Sequence, residues 1–333
     1  MHCNVQRRAL LLLTAAAFPD VWAATTPRSI GLLFTSPPPT NGDNYLLETK
    51  TTLAQLGWKE GVDVQFRAAY FESAEQFEAA ARALIEAKPD ILVAQGNLAI
   101  LALRRAGSAS TPIVFTAVTD PVERGVVRNL ARPEGLLTGF TSFDVGIATK
   151  WLQLLRELYP QLGTVVAIGG PVSDVQTGAA QLLGAPAQHQ AVRDAAGRIG
   201  VATTYIPATP SLGTELGRLR SLPAVGLIVL PAGETLANRA VILRLATEGK
   251  FPAVYWAPTF ARRGGLVSYG PDFADQSRKA AGYVHRLLKG ERVIDLPVQS
   301  PTKFELILNR KAAEQIGLRL PESLLVSATE VLE

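Results

Sequence analysis

Four polar side chains follow apolar segments that have the length of β-strands. Ser36, Asn97 and Ser173 each lie just past such a segment. Where a helix begins, a hydroxyl or amide group can join the free N–H groups of the first turn in binding a carboxylate. Asp120 follows the segment Ile113–Phe115 and can accept a hydrogen bond from an ammonium group. The alternative is that the first three only cap helices or turns, and that Asp120 only fixes a turn ahead of the following proline.

The sequence lacks the residue patterns that assemble a catalytic or metal site. His189 and His285 lie on predicted helices, with no Cys, second His or Glu at metal-ligand spacing. There is no G-x-S-x-G segment and no P-loop. The single cysteine, Cys3, lies in the N-terminal segment. We therefore expect a binding protein rather than an enzyme, with no cofactor and no metal.

The composition is that of a globular protein of ordinary polarity. The chain has 333 residues, of which 47% are apolar and 19% charged, and this length suits two lobes better than one small core. The formal net charge is +4, and the Lys and Arg residues are scattered, without a run that suits a phosphate backbone. We expect no nucleic-acid partner, and we take the protein to be a monomer.

The alternation of apolar and helical segments predicts the fold. Between Asp90 and Ser142, the short apolar segments Ile91–Val93 and Ile113–Phe115 flank the helical segment Leu98–Ala106. Repeated strand–helix alternation of this kind indicates βαβ units and parallel sheets. The predicted fold class is α/β, with two doubly wound parallel-sheet lobes. Ligands bind at the carboxyl ends of the strands in such sheets.

Further candidate residues follow from that placement. Thr116 ends a strand of the first predicted lobe. Asp174, Glu234 and Thr235 follow strands of the second. We expect each of them to face the cleft between the lobes, the alternative being an exposed helix cap.

The first 23 residues have the three-part order of a secretory signal peptide. Arg7 and Arg8 form a basic region, and the apolar segment Ala9–Phe18 is too short to span a bilayer. Val21-Trp22-Ala23 offers a small-residue cleavage site, which makes Ala24 the first mature residue. A short buried helix is the alternative. We expect export to the periplasm.

Three segments resemble one protein family. They are PIVFTAVTDPVERGVVRNLARPEGLLTG (Pro112–Gly139), FPAVYWAPTFARRGGLVSYGPD (Phe251–Asp272) and DLPVQSPTKFELILNRKAAEQIGLRLPESLL (Asp295–Leu325). They are similar to segments of the substrate-binding components of ABC-type uptake systems, in the subgroup of tryptophan- and tyrosine-type binders. That family is similar in turn to the type I periplasmic binding proteins.

The resemblance implies two lobes joined by three crossing segments, which close over a small ligand. The crossings would lie at Gly139–Asp144, Trp256–Ala261 and Leu296–Pro301. The first lobe would then comprise residues 24–140 and 260–296, and the second lobe residues 141–259 and 297–333.

Aromatic residues lie at these implied crossings. Phe143 follows the first crossing, and Trp256 and Phe260 lie at the second. An aromatic ring at a hinge can stack on a flat ligand, although such residues more often only pack. We include Phe143 and Trp256 among the candidate ligand-binding residues.

The resulting functional hypothesis is a periplasmic solute-binding component of an ABC-type uptake system. It would capture a small organic solute, such as an amino acid or a related compound, and hand it to a cognate permease in the inner membrane. There are two alternatives. One is a sensory module that uses the same fold to present a ligand to a membrane receptor, and the other, from a different class, is a periplasmic hydrolase on an α/β scaffold.

Overall fold

The structure is a computed structural model that describes residues 26–34, 45–70, 74–143, 146–171, 186–219 and 222–333. It contains two α/β lobes, each built around its own sheet. The predicted signal peptide, residues 1–23, lies outside the described residues. Among the described residues, no helix combines the length and the apolar character that crossing a membrane requires.

The first lobe begins as a regular alternation of strands and helices. Four of its strands are short apolar segments that are buried nearly throughout, which is typical of a parallel sheet covered on both faces, whereas the edge strand Val64–Tyr70 is only partly buried. In chain order its elements are β1 (Arg28–Phe34), α1 (Tyr45–Gln55), β2 (Val64–Tyr70), α2 (Ala74–Glu86), β3 (Ile91–Gln95), α3 (Gly96–Arg105), a 3₁₀ turn (Ser108–Ser110), β4 (Ile113–Val118) and β5 (Leu137–Thr141).

The five strands of the first lobe form a parallel sheet in the order β2-β1-β3-β4-β5. Side chains alternate between its two faces. Leu92 and Ala94 enter the core on one face, whereas Ile91 and Val93 enter the core on the other. The strand order reverses between β1 and β3, so the crevice at the carboxyl ends of these strands is the place where ligands of such sheets bind.

The rest of the chain builds the second lobe and returns once to the first. In chain order the elements are α4 (Ile147–Leu158), β6 (Thr164–Gly169), α5 (Pro186–Gly197), β7 (Ala202–Pro207), α6 (Leu212–Leu219), β8 (Val225–Val229), α7 (Gly233–Ala237), α8 (Arg239–Glu248), β9 (Ala253–Tyr255), α9 (Pro258–Ala261), β10 (Val267–Pro271), α10 (Phe273–Leu288), a 3₁₀ turn (Val293–Asp295), β11 (Phe304–Asn309), α11 (Arg310–Ile316), α12 (Glu322–Ser327) and β12 (Glu330–Leu332).

The second sheet has the order β12-β11-β10-β9-β8-β6-β7. Five of its strands repeat the first lobe's order, with β6 in the place of β1, so the predicted doubly wound α/β fold is confirmed in both lobes. The prediction of wholly parallel sheets needs one correction, because β10 and β11 are antiparallel. A strand that enters the sheet from the other lobe has no βαβ crossover to fix its direction.

The positions at which the chain changes lobe differ partly from the expected ones. It leaves the first sheet after β5 and enters the second lobe's core with Phe143. The second crossing was expected at Trp256–Ala261, with residues 260–296 in the first lobe. This is corrected by the pairing of β10 with β9 and β11, which keeps the chain in the second sheet as far as Pro271.

The helix α10 and the segment after it return to the first lobe. Ala280, Ala281 and Val284 of α10 enter the first lobe's core together with Ile30. The backbone N–H of Gln299 still donates to Gly139 of β5 (3.0 Å). The third crossing follows, and β11 completes the second sheet.

Candidate ligand-binding cleft

The carboxyl edges of the two sheets face each other and touch. Asp120, after β4 of the first lobe, accepts a hydrogen bond from Gln188 in α5 of the second (Nε2 to Oδ2, 3.0 Å). Leu98 of α3 approaches Gly233, where a Cβ would lie 2.9 Å from the leucine Cδ1. The molecule is therefore closed at these two points, and the crevice between the edges is the candidate site.

A bulge at the end of β4 shapes the first lobe's edge. The pairing of β4 with β5 shifts between Phe115 and Val118, and Ala117 and Asp120 have left-handed backbone φ angles of 54° and 48°. Asp is one of the few residue types that tolerates this conformation. The Asp120 carboxylate is thus presented by a backbone geometry that its own residue type favours.

Gln276, in the first turns of α10, holds this bulge in place. Its Oε1 accepts from the N–H of Ala117 (3.2 Å), and its Nε2 donates to the carbonyl of Thr141 (2.8 Å). The side chain is buried, so both bonds are made away from water and stiffen the edge. Reasoning from the sequence missed Gln276, because no local pattern connects it with β4.

Asn97 links the ends of β3 and β4. Its Oδ1 accepts from the N–H of Thr119 (3.2 Å), and its Nδ2 lies 3.4 Å from the carbonyl of the same residue. The Thr119 hydroxyl is 2.8 Å from that of Ser142 at the first crossing. The amide of Asn97 therefore positions the loop that carries Asp120, which corresponds to the turn-fixing alternative considered for it.

Thr116 lies beside Gln95 at the carboxyl end of the first sheet. Both are buried. Each lies two residues after a valine, and the two valines pack in the same core, so Thr116 and Gln95 share one face of the sheet. The Oε1 atom of Gln95 has no hydrogen-bond partner among the described residues. The sequence predicts Thr116 as a site residue but not Gln95, because Gln95 is only the last residue of an apolar segment.

Asp120 has a buried cation in its vicinity. Arg124, one turn further along, is buried, and its backbone N–H donates to the Asp120 carbonyl (3.0 Å). Burial lowers the pKa of the Arg124 guanidinium, and the charges of Asp120 and Glu123 oppose that change. A guanidinium stays charged in a protein at neutral pH, so Arg124 contributes positive charge close to the Asp120 carboxylate.

Glu234 belongs to a polar cluster on the second lobe's edge. It lies in the first turn of α7 and is half-buried. Tyr205 donates its hydroxyl hydrogen to the carbonyl of Gly170, and burial, together with the charge of Glu234, raises its pKa to about 12. The rings of His189 and Tyr205 have centroids 4.4 Å apart. Burial, followed by the charge of Arg193, lowers the pKa of His189, which is therefore neutral at pH 7.

An aromatic cluster packs at the hinge. The ring centroid of Trp256 lies 5.8 Å from that of Phe143 and 5.9 Å from that of Phe273. Phe273 in turn contacts Tyr45 of the first lobe, with centroids 6.2 Å apart. Phe143 and Trp256 are buried. The cluster connects the first and second crossings with the start of α1, so it forms the apolar floor between the lobes.

Thr235 lies behind this cluster rather than at the surface of the cleft. It is fully buried, and its hydroxyl is within hydrogen-bonding distance of the carbonyls of Leu230 (3.0 Å) and Ala232 (2.9 Å). The indole N–H of Trp256 donates to the same hydroxyl oxygen (3.4 Å). Thr235 therefore orients the Trp256 ring, in place of the exposed cap or the cleft-facing hydroxyl considered for it.

Three predicted site residues, Ser36, Ser173 and Asp174, lie outside the described residues. The structure brings together Asp120 and the loop-fixing Asn97 on one lobe, and Trp256, Phe143 and Thr235 at the hinge. Glu234 lies on the opposing edge. Within the described ranges, no group of three or more His, Cys, Asp or Glu side chains is arranged to hold a metal ion.

Comparison with known proteins identifies the family. A sequence model of the ABC transporter substrate binding proteins matches residues 48–332. The "Tyrosine-binding protein" of Clostridioides difficile is 24% identical over 276 residues, which are 80% of this chain and 74% of that protein.

Solved structures share the two-lobed fold. The ABC domain in complex with L-Trp from Streptococcus pneumonia superposes with a TM-score of 0.80 at 21% identity, covering 92% of this chain and 100% of that one. A conserved domain protein from Vibrio cholerae has a TM-score of 0.78 at 23% identity, covering 91% and 99%. The chain thus belongs to the family of ABC transporter substrate-binding proteins.

Proposed function

We propose that the cleft binds a free amino acid with an aromatic side chain. The observation that carries the proposal is the Asp120 carboxylate, which projects from the left-handed loop at the carboxyl edge of the first sheet and reaches the opposing lobe. A carboxylate in that position suits an ammonium group. The aromatic floor formed by Trp256 and its neighbours suits a flat side chain. The names of the tyrosine- and L-Trp-binding relatives agree with this ligand class.

Binding would work through closure of the lobes. A ligand that contacts Asp120 on one edge and α5 or α7 on the other makes both sets of contacts only when the cleft is closed. Its binding free energy therefore shifts the hinge equilibrium towards the closed state. We propose that a cognate permease in the inner membrane recognises this state, and that the solute is released chemically unchanged from a monomer.

The experiment that tests the ligand class is calorimetric titration with the twenty amino acids and a set of sugars. Saturable binding of L-tryptophan, L-tyrosine or L-phenylalanine, with weaker binding of L-leucine, is expected. Tight binding of a sugar, with none of an amino acid, would contradict the proposal. Small-angle scattering with the best ligand should show a smaller radius of gyration, unless the ligand-free protein is already closed.

We also propose that the mature protein lies in the periplasm. The support is the order of a basic region, an apolar region and a cleavage site in residues 1–23, together with the family, whose members deliver solutes to a membrane permease. N-terminal sequencing of the folded protein from a periplasmic extract should begin at or near Ala24. An intact Met1 on soluble, folded protein would contradict export by cleavage.

A further inference from the structure

Gln188 is a buried amide that spans the cleft. It lies in the first turn of α5 and is only 1% exposed. Its Nε2 donates to Asp120 across the lobes. An ionised carboxylate only accepts hydrogen bonds, so the amide nitrogen must face Asp120 and the amide oxygen must point elsewhere. The chemistry of the pair thus fixes the orientation of the amide.

The oxygen left by this orientation is unsatisfied. Gln188 Oε1 has no hydrogen-bond partner among the described residues. A buried acceptor without a donor costs free energy, and native structures rarely leave one unless a ligand or a water supplies the donor. The atom belongs to the same side chain that touches Asp120, so a donor bound there would also lie near the carboxylate.

We infer that Gln188 Oε1 and the Asp120 carboxylate together bind the ammonium group of the solute, an inference that rests on the proposed amino-acid ligand. An ammonium offers three N–H donors, and this pair supplies one charged and one neutral acceptor from opposite lobes. Gln188 thereby makes recognition of the ammonium conditional on closure. A solute without an N–H or O–H donor at this position leaves the amide oxygen unsatisfied in the closed state.

The test compares two substitutions at one position. Gln188→Met keeps the length of the side chain and removes both the donor to Asp120 and the acceptor. Gln188→Glu removes the donor but keeps an acceptor for the ammonium. Gln190→Met is the matched control, because Gln190 lies exposed on the same helix and its side chain bonds only to near neighbours on that helix, donating to Asp194 (2.6 Å) and accepting from Arg193. The probe is whichever of L-tryptophan, L-tyrosine and L-phenylalanine the wild type binds most tightly.

Gln188→Met should weaken binding of that amino acid about 5- to 150-fold, because a desolvated N–H then lacks its acceptor. Gln188→Glu should bind more tightly than Gln188→Met, because an ammonium between two carboxylates relieves their repulsion. Gln190→Met should stay within about twofold of the wild type. Thermal melting without ligand confirms that each variant is folded, and Gln188→Leu replaces the methionine variant if that one is unfolded.

Two results would overturn the inference while leaving the proposed function intact. In one, Gln188→Met binds the amino acid like the wild type, which means that water satisfies the amide oxygen. In the other, Gln188→Glu binds more weakly than Gln188→Met, which means that position 188 only donates to Asp120. A wild type that binds none of the three amino acids refutes the proposed ligand class itself, and the inference with it.

Discussion

The two lobes solve one packing problem in the same way at equivalent strands. Gly139 lies in β5 and Gly270 in β10, and these two strands occupy the same position in the strand order that the sheets share. A Cβ on Gly139 would lie 2.0 Å from the carbonyl oxygen of Phe115, and one on Gly270 would lie 2.0 Å from that of Trp256. Both glycines come shortly before the chain leaves the sheet for the other lobe. The close backbone approach is therefore a property of the repeated architecture.

The edges that these glycines support differ in chemistry. In the first lobe, β4 ends in a bulge with left-handed residues and the Asp120 carboxylate. In the second lobe, the equivalent strand β9 is followed by the buried ring of Trp256. A shared scaffold thus presents a charged group on one side and an aromatic surface on the other. This is the division that an amino acid with an aromatic side chain requires, since its polar and apolar ends lie apart.

The largest effect is expected from Gly139→Ala and Gly270→Ala. Each methyl group would overlap a carbonyl oxygen of the backbone, which cannot move aside as the end of a flexible side chain could. The free energy of unfolding, measured by urea denaturation, should fall by about 3 kcal/mol or more in each case. Gly139→Ala should be the more severe of the two, because its φ of 150° is also strained for alanine.

Gly282→Ala is the control for this pair. Gly282 lies within α10, and a Cβ there would meet no atom within 4 Å. Alanine should raise the free energy of unfolding by about 0.5–1 kcal/mol, because it has the higher helix propensity. If Gly270→Ala is as stable as the wild type, the two lobes do not share the packing constraint.

The next largest effect is expected from a substitution that removes the charged group from the edge of the first sheet. Asp120→Asn keeps a residue that tolerates a left-handed backbone but removes the charge. If Asp120 binds the ammonium of the solute, the loss of a charge-assisted hydrogen bond of about 1.5–3 kcal/mol lowers affinity on the order of 10- to 150-fold. Calorimetric titration measures the affinity, and thermal melting of the empty protein should change little.

Glu123→Gln is the matched control for Asp120→Asn. It removes a negative charge from the same turn, but Glu123 is exposed and its effect is screened. Affinity should remain within about twofold of the wild type. If both variants lose affinity equally, the net charge of the turn matters rather than the position of the Asp120 carboxylate.

The sequence predicts those features of the site that depend on local patterns. The apolar segments around β3 and β4 mark the strands, and Asp120 follows as a polar residue at a strand end. The bulge is not visible in the sequence, because β4 runs on to Val118 past the predicted end at Phe115. Register shifts depend on the neighbouring strand, and in this case on the hydrogen bonds that Gln276 makes from a distant helix.

The residues that sequence reasoning missed share a physical cause. Gln188 and Gln276 make their important contacts with residues 68 and 159 positions away, respectively. No periodicity or spacing encodes such contacts, since they arise only when elements pack. Thr235 shows the converse, because a threonine after a strand can bond outwards to a ligand or inwards to backbone and indole groups. Only the packing of the hinge selects the inward arrangement.

The smallest effect is expected from the ion pairs that link α10 to the third crossing. Asp275 in α10 pairs with Lys279 (2.7 Å) and with Lys303 of the third crossing (3.0 Å). Burial alone would raise the pKa of Asp275, but the hydrogen bonds and charges of the two lysines outweigh burial and lower it. Its pKa is therefore lower in the folded than in the unfolded protein. Stability from this group is complete above the ordinary pKa of 3.8 and is lost as the pH falls through the folded value.

Asp275→Asn should therefore lower the free energy of unfolding by about 1 kcal/mol at pH 7, after allowance for solvent screening of the lysines. The difference from the wild type should shrink as the pH falls below about 4, because the carboxyl of the unfolded wild type is protonated first and that of the folded protein follows at its lower pKa. Urea denaturation at pH 7, 5, 4 and 3 measures this. Asp295→Asn, which removes an exposed partner of Arg292, should produce no measurable loss at any of these values. A difference for Asp275→Asn that stays constant down to pH 3 would mean that packing, and not the charge linking α10 to the third crossing, is what the substitution disturbs.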